Sequence, residues 1–351
     1  MLITGSLSLT DSELRNTSYG DTSTVEAVKL PQVEGTRAIF GLIAAFSVFL
    51  NFFFCVVMIR KPVMLKSAHN ILLFSLAITD LLTGILIPLT PGYVVSISSF
   101  PVPSGLRGEF FCRFLGSRYV LFTMGRVSIL KVTCLDLERW FSIFRPMTYR
   151  FYFTTKRMFL YILAIWVFTC ILKSNKFFEW KLLGNKCSPI KAPYGETITQ
   201  TIVIFINSVI GFCLPCIITW ASFAHIALLF KTSLVARCYG ERQRKQQKAL
   251  LRMCAVACLT LTLCWLPAQA IYVLSPFGIT NIDSPIHIIG GILAMSNSCV
   301  NPLIYWMTNK EYRDSLCKTF EVSKIKLFNR RRKKMMESQM YELMVLRNSG
   351  N

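Results

Sequence analysis

Acidic side chains are scarce in this chain: 18 Asp and Glu stand against 39 Lys and Arg, and charged residues make up only 16% of 351. So little charge beside 53% hydrophobic residues and a mean hydropathy of +0.48 excludes an ordinary soluble domain. Histidine is scarcer still. His69, His225 and His287 fall far apart in any topology drawn from the apolar runs, so they form no recognisable metal set, and no constellation of nucleophile and base points to an enzyme. Residues 1–35 are polar, rich in Ser and Thr, and lack the basic-then-apolar order of a cleavable leader. The first apolar run is therefore expected to serve as the signal anchor.

What is present is a succession of apolar runs. Ala38 to Ile59 carries no charge and is long enough for a hydrocarbon core of about 30 Å. Further spans run from about Asn70 to Val95, from Cys112 into the Ser128–Tyr149 stretch, over the short run Met158 to Leu172, and from about Ile198 to Phe230. A sixth contains Trp265 and Pro267, and a seventh ends in Asn301-Pro302 and Tyr305. The result is an all-α membrane protein, a seven-transmembrane helix bundle. Residues 1–35 form an extracellular tail, 36–308 the bundle, and 309–351 a cytoplasmic segment. About two thirds of the 39 Lys and Arg fall on the side this topology makes cytoplasmic, as the positive-inside rule requires. The formal charge of +21 thus orients the chain and meets anionic lipid; no nucleic acid is needed to explain it. Asn16-Thr17-Ser18 fits a glycosylation acceptor on an extracellular tail.

Charges inside the spans are the informative residues, because each is costly in hydrocarbon. Glu138 and Arg139 sit where the third span meets the inner headgroups and are expected to pair. Asp80 lies near mid-membrane, either protonated and hydrogen-bonded or holding a hard cation. The third span also carries Arg118, Arg126 and Lys131. Residues 118, 122 and 126 repeat at spacings of four, so Arg118, Phe122 and Arg126 are expected on one face. There the two guanidinium groups either line an outward-opening cavity and take an anionic ligand or are structural cations held by carbonyls and aromatic rings. Lys131 points elsewhere, toward spans two and four, where Trp166 could receive it.

Taken in order, these motifs resemble the rhodopsin-like (class A) G-protein-coupled receptors: Asn51; Leu76-Ala77 and Asp80; Glu138-Arg139; Trp166; Pro215; Cys264-Trp265-Leu266-Pro267; and Asn301-Pro302-Leu303-Ile304-Tyr305. The resemblance covers Ala38 to Phe320. It implies a plasma-membrane receptor with its N-terminus outside, binding an extracellular ligand and coupling to a heterotrimeric G protein, with arrestin as a further candidate partner. Glu138 would hold Arg139 at rest, and Trp265 at the Pro267 bend would link ligand to helix movement. Asp80 would bind a structural sodium ion, the only cofactor in view, with Ser128, Asn297, Ser298 and Asn301 as partners. Cys112 and Cys187, both extracellular in this topology, read as a disulfide, and the family has this bridge.

Departures from the family pattern matter as much. Trp140 stands where a tyrosine is usual, Phe223 replaces a tyrosine, Leu261 a phenylalanine, and Gln247 an acid that would add a second restraint on Arg139. Cys112 lies two residues farther from Arg139 than usual, so either the helix begins with an irregular turn or the residues above Ser128 are shifted. Leu121 stands where amine receptors have an aspartate and Met295 where opsins have the retinal-linking lysine. The expected ligand is therefore neither amine nor retinal; it is anionic, a peptide or a lipid. Arg118, Leu121, Phe122, Arg126, Trp265, Gln269, Tyr272 and His287 are the pocket candidates. After the seventh span, Tyr312, Leu316 and Phe320 share a face suited to a helix on the inner leaflet, where Cys317 is a candidate for palmitoylation. A seven-helix transporter using Asp80, Arg126 and Lys131, or a receptor that binds ligand and couples weakly, remain alternatives.

Overall fold

The computed structural model describes residues 22–97, 99–184, 186–189, 197–231, 241–280, 284–308 and 312–317. The described residues are almost wholly helical. Helix α1 (Thr22–Arg60) is followed by α2 (Ala68–Leu89), the short α3 (Gly105–Phe111), α4 (Tyr119–Phe144), α5 (Pro146–Tyr152), α6 (Thr155–Leu172) and α7 (Ser174–Phe178). A hairpin of β1 (Trp180–Leu183) and β2 (Lys186–Pro189) pairs antiparallel, with Leu182 opposite Cys187. Then come α8 (Thr197–Ser208), α9 (Leu214–Lys231), α10 (Glu241–Leu274) and α11 (Pro285–Thr308). Helix α1 begins at Thr22, inside the stretch expected to be a tail, although its apolar portion starts only at Glu34.

Six described stretches are long and apolar enough to cross a membrane; α4 is the seventh helix of the bundle. It falls short on composition because it is the central one, packed against α2, α6, α9 and α10. Its Thr123, Arg126, Ser128, Lys131, Thr133, Asp136 and Glu138 are all buried, facing other helices where polar groups find partners. The outward faces are apolar instead: Leu42, Phe46, Leu163, Ile217 and Leu263 are each more than half exposed, as hydrocarbon-facing positions should be.

Prolines shape the contacts between helices. A proline lacks the N–H that would bond the carbonyl four residues back. Pro215 leaves the carbonyl of Gly211 without that donor, and the backbone there winds as a π turn, Val209–Cys213; Nη1 of Arg126 donates to this oxygen at 2.9 Å. Pro302 does the same for Ser298, whose carbonyl accepts from Asn51 Nδ2 at 2.9 Å. Each freed acceptor is taken by a side chain from another helix, which is how broken helices persist in a membrane.

The start of the third span resolves the spacing question. Cys112–Gly116 forms a π turn, and Arg118 then adopts a left-handed conformation, φ 61°, before α4 begins at Tyr119. The irregular turn absorbs the extra length, so residues from Tyr119 to Arg139 count along one unbroken helix. Cys112 and Cys187 form a disulfide that pins the hairpin over this turn.

Candidate functional site

At the end of the bundle where α4 runs into α5, Arg139 is held from two sides. Its Nε lies 3.2 Å from Glu138 Oε2 and 3.0 Å from His69 Nδ1. Glu138 is fully buried and also accepts from the Tyr149 hydroxyl at 2.6 Å, while His69 Nδ1 stands 3.1 Å from Oε2. That nitrogen cannot accept from Arg139 and donate to Glu138 at once, so the tautomer or protonation of His69 decides which neighbour it serves. Burial first, and then the Glu138 charge, push the Tyr149 hydroxyl in α5 above the ordinary tyrosine range. Neither His69, seventy residues upstream, nor Tyr149 carries a local sequence signal that would have found it.

Trp140 donates from Nε1 to His225 Nδ1 at 2.7 Å and stacks on Phe144. This joins the inner ends of α4 and α9 beside the Arg139 cluster. Asp136, which the motif reading passed over, is buried one turn higher and accepts from Cys258 Sγ at 3.4 Å. The side chain at Gln247 is outside the described set.

At mid-membrane, Asp80 accepts from Asn301 Nδ2 at 2.7 Å and from Ser128 Oγ at 3.2 Å, and Asn297 Nδ2 reaches Ser128 at 3.4 Å. Ser298 departs from its expected place. Its hydroxyl bonds Met295 within its own helix, and its contribution is the carbonyl that holds Asn51. The donors around Asp80 are hard oxygens of the kind that suit sodium, although the Asn301 amide nitrogen already occupies one carboxylate oxygen. Lys131 Nζ bonds Thr79 Oγ1 at 2.6 Å and the Ser75 carbonyl at 2.9 Å, and lies 5.3 Å from the Trp166 ring centroid, between α2 and α6.

Farther out, Arg126 is 3% exposed. Besides Gly211 it bonds Gln269 Oε1 at 2.6 Å, and its guanidinium sits 6.0 Å from the Trp265 ring. Arg118 does not share its face: it precedes α4, and its guanidinium lies 5.2 Å from the Tyr93 ring. The spacing of four fails there because the left-handed residue ends the helical register. Phe122 is half-buried in the first turn of α4. Leu121 is 1% exposed and shares one apolar cluster with Met295, Ile87, Tyr93 and Phe40. Trp265 is buried against Gly125. Tyr272 stands one turn beyond Gln269 with Lys176 Nζ 5.8 Å from its ring. His287 lies in the first turn of α11, its N–H bonded to Ser284.

In the last described helical turn, residues 312–317, Tyr312 is buried against Phe54, Lys61 Nζ donates to Ser315 Oγ at 2.6 Å, and Cys317 is exposed. Phe320 and Asn16 fall outside the described residues.

A bundle of seven helices with a buried acid paired to a neighbouring arginine at one end and a Trp-x-Pro sequence inside α10 is the framework of a membrane receptor. The family model described as 7 transmembrane receptor (rhodopsin family) matches residues 50–305, and the chain belongs to that family, whose members are receptors and not enzymes. Similar proteins include the neuromedin U receptor homologue nmur-2 of Caenorhabditis elegans, 25% identical, covering 81% of this chain and 78% of the relative. Galanin receptor 2a of Danio rerio is 20% identical over 80% of this chain and 77% of its own length. Muscarinic acetylcholine receptor M4 of Xenopus laevis is 26% identical over 65% of this chain and 44% of its own. The family implies a G-protein partner and an extracellular ligand, and it displaces the transporter alternative.

Proposed function

We propose that the chain is a plasma-membrane receptor, N-terminus outside, that binds an extracellular ligand in the outer half of the bundle and activates a heterotrimeric G protein through Arg139. The observation that carries this reading is the restraint on Arg139. A guanidinium held by Glu138 at 3.2 Å and His69 at 3.0 Å is a charge kept from the cytoplasmic face that a change of helix packing can release. Trp265 supports the link from the outside, since its ring contacts both Gly125 on α4 and Arg126, directly below the proposed ligand space.

The ligand is neither a simple amine nor retinal. With the irregular turn confined to residues before Tyr119, Leu121 keeps its unbroken count from Arg139, and it packs with Met295 in one apolar cluster. A cationic or imine-forming group has no counterpart there. The relatives named for neuromedin U and galanin favour a ligand of their kind over that of the muscarinic relative. Asp80 and Ser128 would provide the hard oxygens for a sodium ion, Asn16 a glycosylation site, and Cys317 a lipid anchor at the inner leaflet; arrestin is a further partner at the cytoplasmic face.

The test is nucleotide exchange on a panel of purified heterotrimeric G proteins in membranes bearing the chain or its Arg139→Ala variant, at matched expression. Exchange above empty membranes that falls in the variant supports the reading. Exchange that is unchanged by the substitution would place coupling elsewhere.

A further inference from the structure

Among the described residues, the outer half of the bundle gathers three basic side chains around one acid, Glu179. Arg126 comes from α4, Lys173 from the cap just after the end of α6, and Lys176 from α7. Arg126 and Leu172, the neighbour of Lys173, flank the same glycine: a Cβ built on Gly211 would lie 3.3 Å from Arg126 Nε and 3.3 Å from a Leu172 methyl. Lys176 is one turn beyond Lys173, its N–H bonded to the Lys173 carbonyl. Its ammonium lies 2.7 Å from Glu179 Oε2 and 5.8 Å from the Tyr272 ring centroid. Gln269 and Tyr272, one turn apart on α10, close the other side.

Lys173 is the anomaly. It is only 6% exposed, yet no acidic side chain forms an ion pair with it among the described residues. Its ammonium feels Arg126 and Lys176 as like charges and only Glu179 as an opposite one, and burial first, then those two cations, hold its pKa well below the ordinary lysine range. Glu179 is already engaged by Lys176 and by Asn175 Nδ2 at 3.0 Å. Buried charge persists when it is paired, and among the described residues three basic side chains share one committed carboxylate.

We infer that Arg126, Lys173 and Lys176 form the anion subsite of the ligand pocket, taking a single carboxylate or phosphate group whose uncharged body rests against Tyr272 and Trp265. This rests on the receptor reading above and narrows its ligand class. Beyond the N–H groups given to Gly211 and Gln269, each Nη of Arg126 keeps a second N–H, and with the two lysine side chains this supplies the charge and donors an oxyanion needs. The β1–β2 hairpin, tied to the start of the third span by Cys112–Cys187, follows directly after Lys176 and Glu179, so an anion seated there also lies against the covering loop.

The experiment is thermal unfolding of the purified full chain and its Lys173→Met and Arg126→Gln variants, with inorganic phosphate, hexyl phosphate, hexanoate, hexanol or hexylamine. This readout needs no G protein, so its failure is separate from failure of the coupling test with Arg139→Ala. A rise of about 5 °C near saturation with hexyl phosphate or hexanoate, and none with hexanol or hexylamine, is the expected result; Lys173→Met and Arg126→Gln should each lose most of it. A rise with inorganic phosphate as well as the alkyl anions supports the subsite with a free anion sufficient, a rise only with the alkyl anions supports it with a lipid-like one, and a rise with inorganic phosphate but none with the alkyl anions would overturn it. Lys173→Met should also unfold at a higher temperature than wild type when no anion is present. Equal response to anion and alcohol, or a Lys173→Met variant that is less stable than wild type and keeps its full anion response, would overturn the inference.

Discussion

Gly125 faces Trp265 so closely that the smallest addition decides whether the indole can stay. A Cβ at residue 125 would run into Cη2 of that ring and lie 2.7 Å from Cζ2, where ordinary carbon contacts lie near 3.5–4.0 Å. Gly125→Ala therefore requires the rigid indole to withdraw by roughly 1–2 Å or to change rotamer. Overpacking of this kind costs about 1–3 kcal/mol, which in a chain of this size lowers Tm by several degrees. Thermal unfolding of purified Gly125→Ala measures it, and a double-mutant cycle assigns it. In a Trp265→Leu background, which removes both contacting ring atoms, the same substitution should cost less than about 0.5 kcal/mol. An equal loss in both backgrounds would show that α4, and not the indole, takes up the strain, and would refute the claim that Gly125 exists to seat Trp265.

Trp140→Phe keeps the stacking on Phe144 and removes the bond to His225, worth about 1 kcal/mol; basal nucleotide exchange should rise several-fold, and no change would mean that bond does not restrain the inner ends of α4 and α9. Glu109 accepts from the Leu182 N–H at 2.8 Å and from Arg113, in that order holding its carboxyl below its ordinary 4.5. A carboxylate depressed on folding stabilises above its unfolded value and loses that contribution as pH falls through the folded one, so the Tm gap between wild type and Glu109→Gln should be full at pH 7 and shrink below about pH 4.5. Sodium chloride should raise Tm over equimolar choline chloride in wild type and not in Asp80→Asn; an equal response in both would place the ion elsewhere.

Much of this architecture could be read from local chemistry. The spans followed from apolar length, and Pro215 and Pro302 marked freed carbonyls because proline's missing donor is a local fact. Lys131 lay toward α2 and Trp166 as helical geometry from Arg139 required. What stayed hidden depends on proximity that no periodicity encodes. His69 meets Arg139 because α2 packs against α4, and Tyr149 reaches Glu138 only because α5 folds back against α4. The failure at Arg118 has a different origin: one left-handed residue ends the helical count, and an arginine announces no such turn. Lys173, just past the end of α6, carries no sequence signal of its burial, since the short α7 that follows it has no strong pattern.

The restraint on Arg139 is the central claim, and basal exchange of Glu138→Gln measures it most directly. Glutamine preserves size and an acceptor for Tyr149 while removing the charge 3.2 Å from Arg139. The account predicts exchange several-fold above wild type on whichever G protein responds, abolished again when Arg139→Ala is added. Exchange at or below the wild-type level in a folded, correctly inserted Glu138→Gln protein would contradict it.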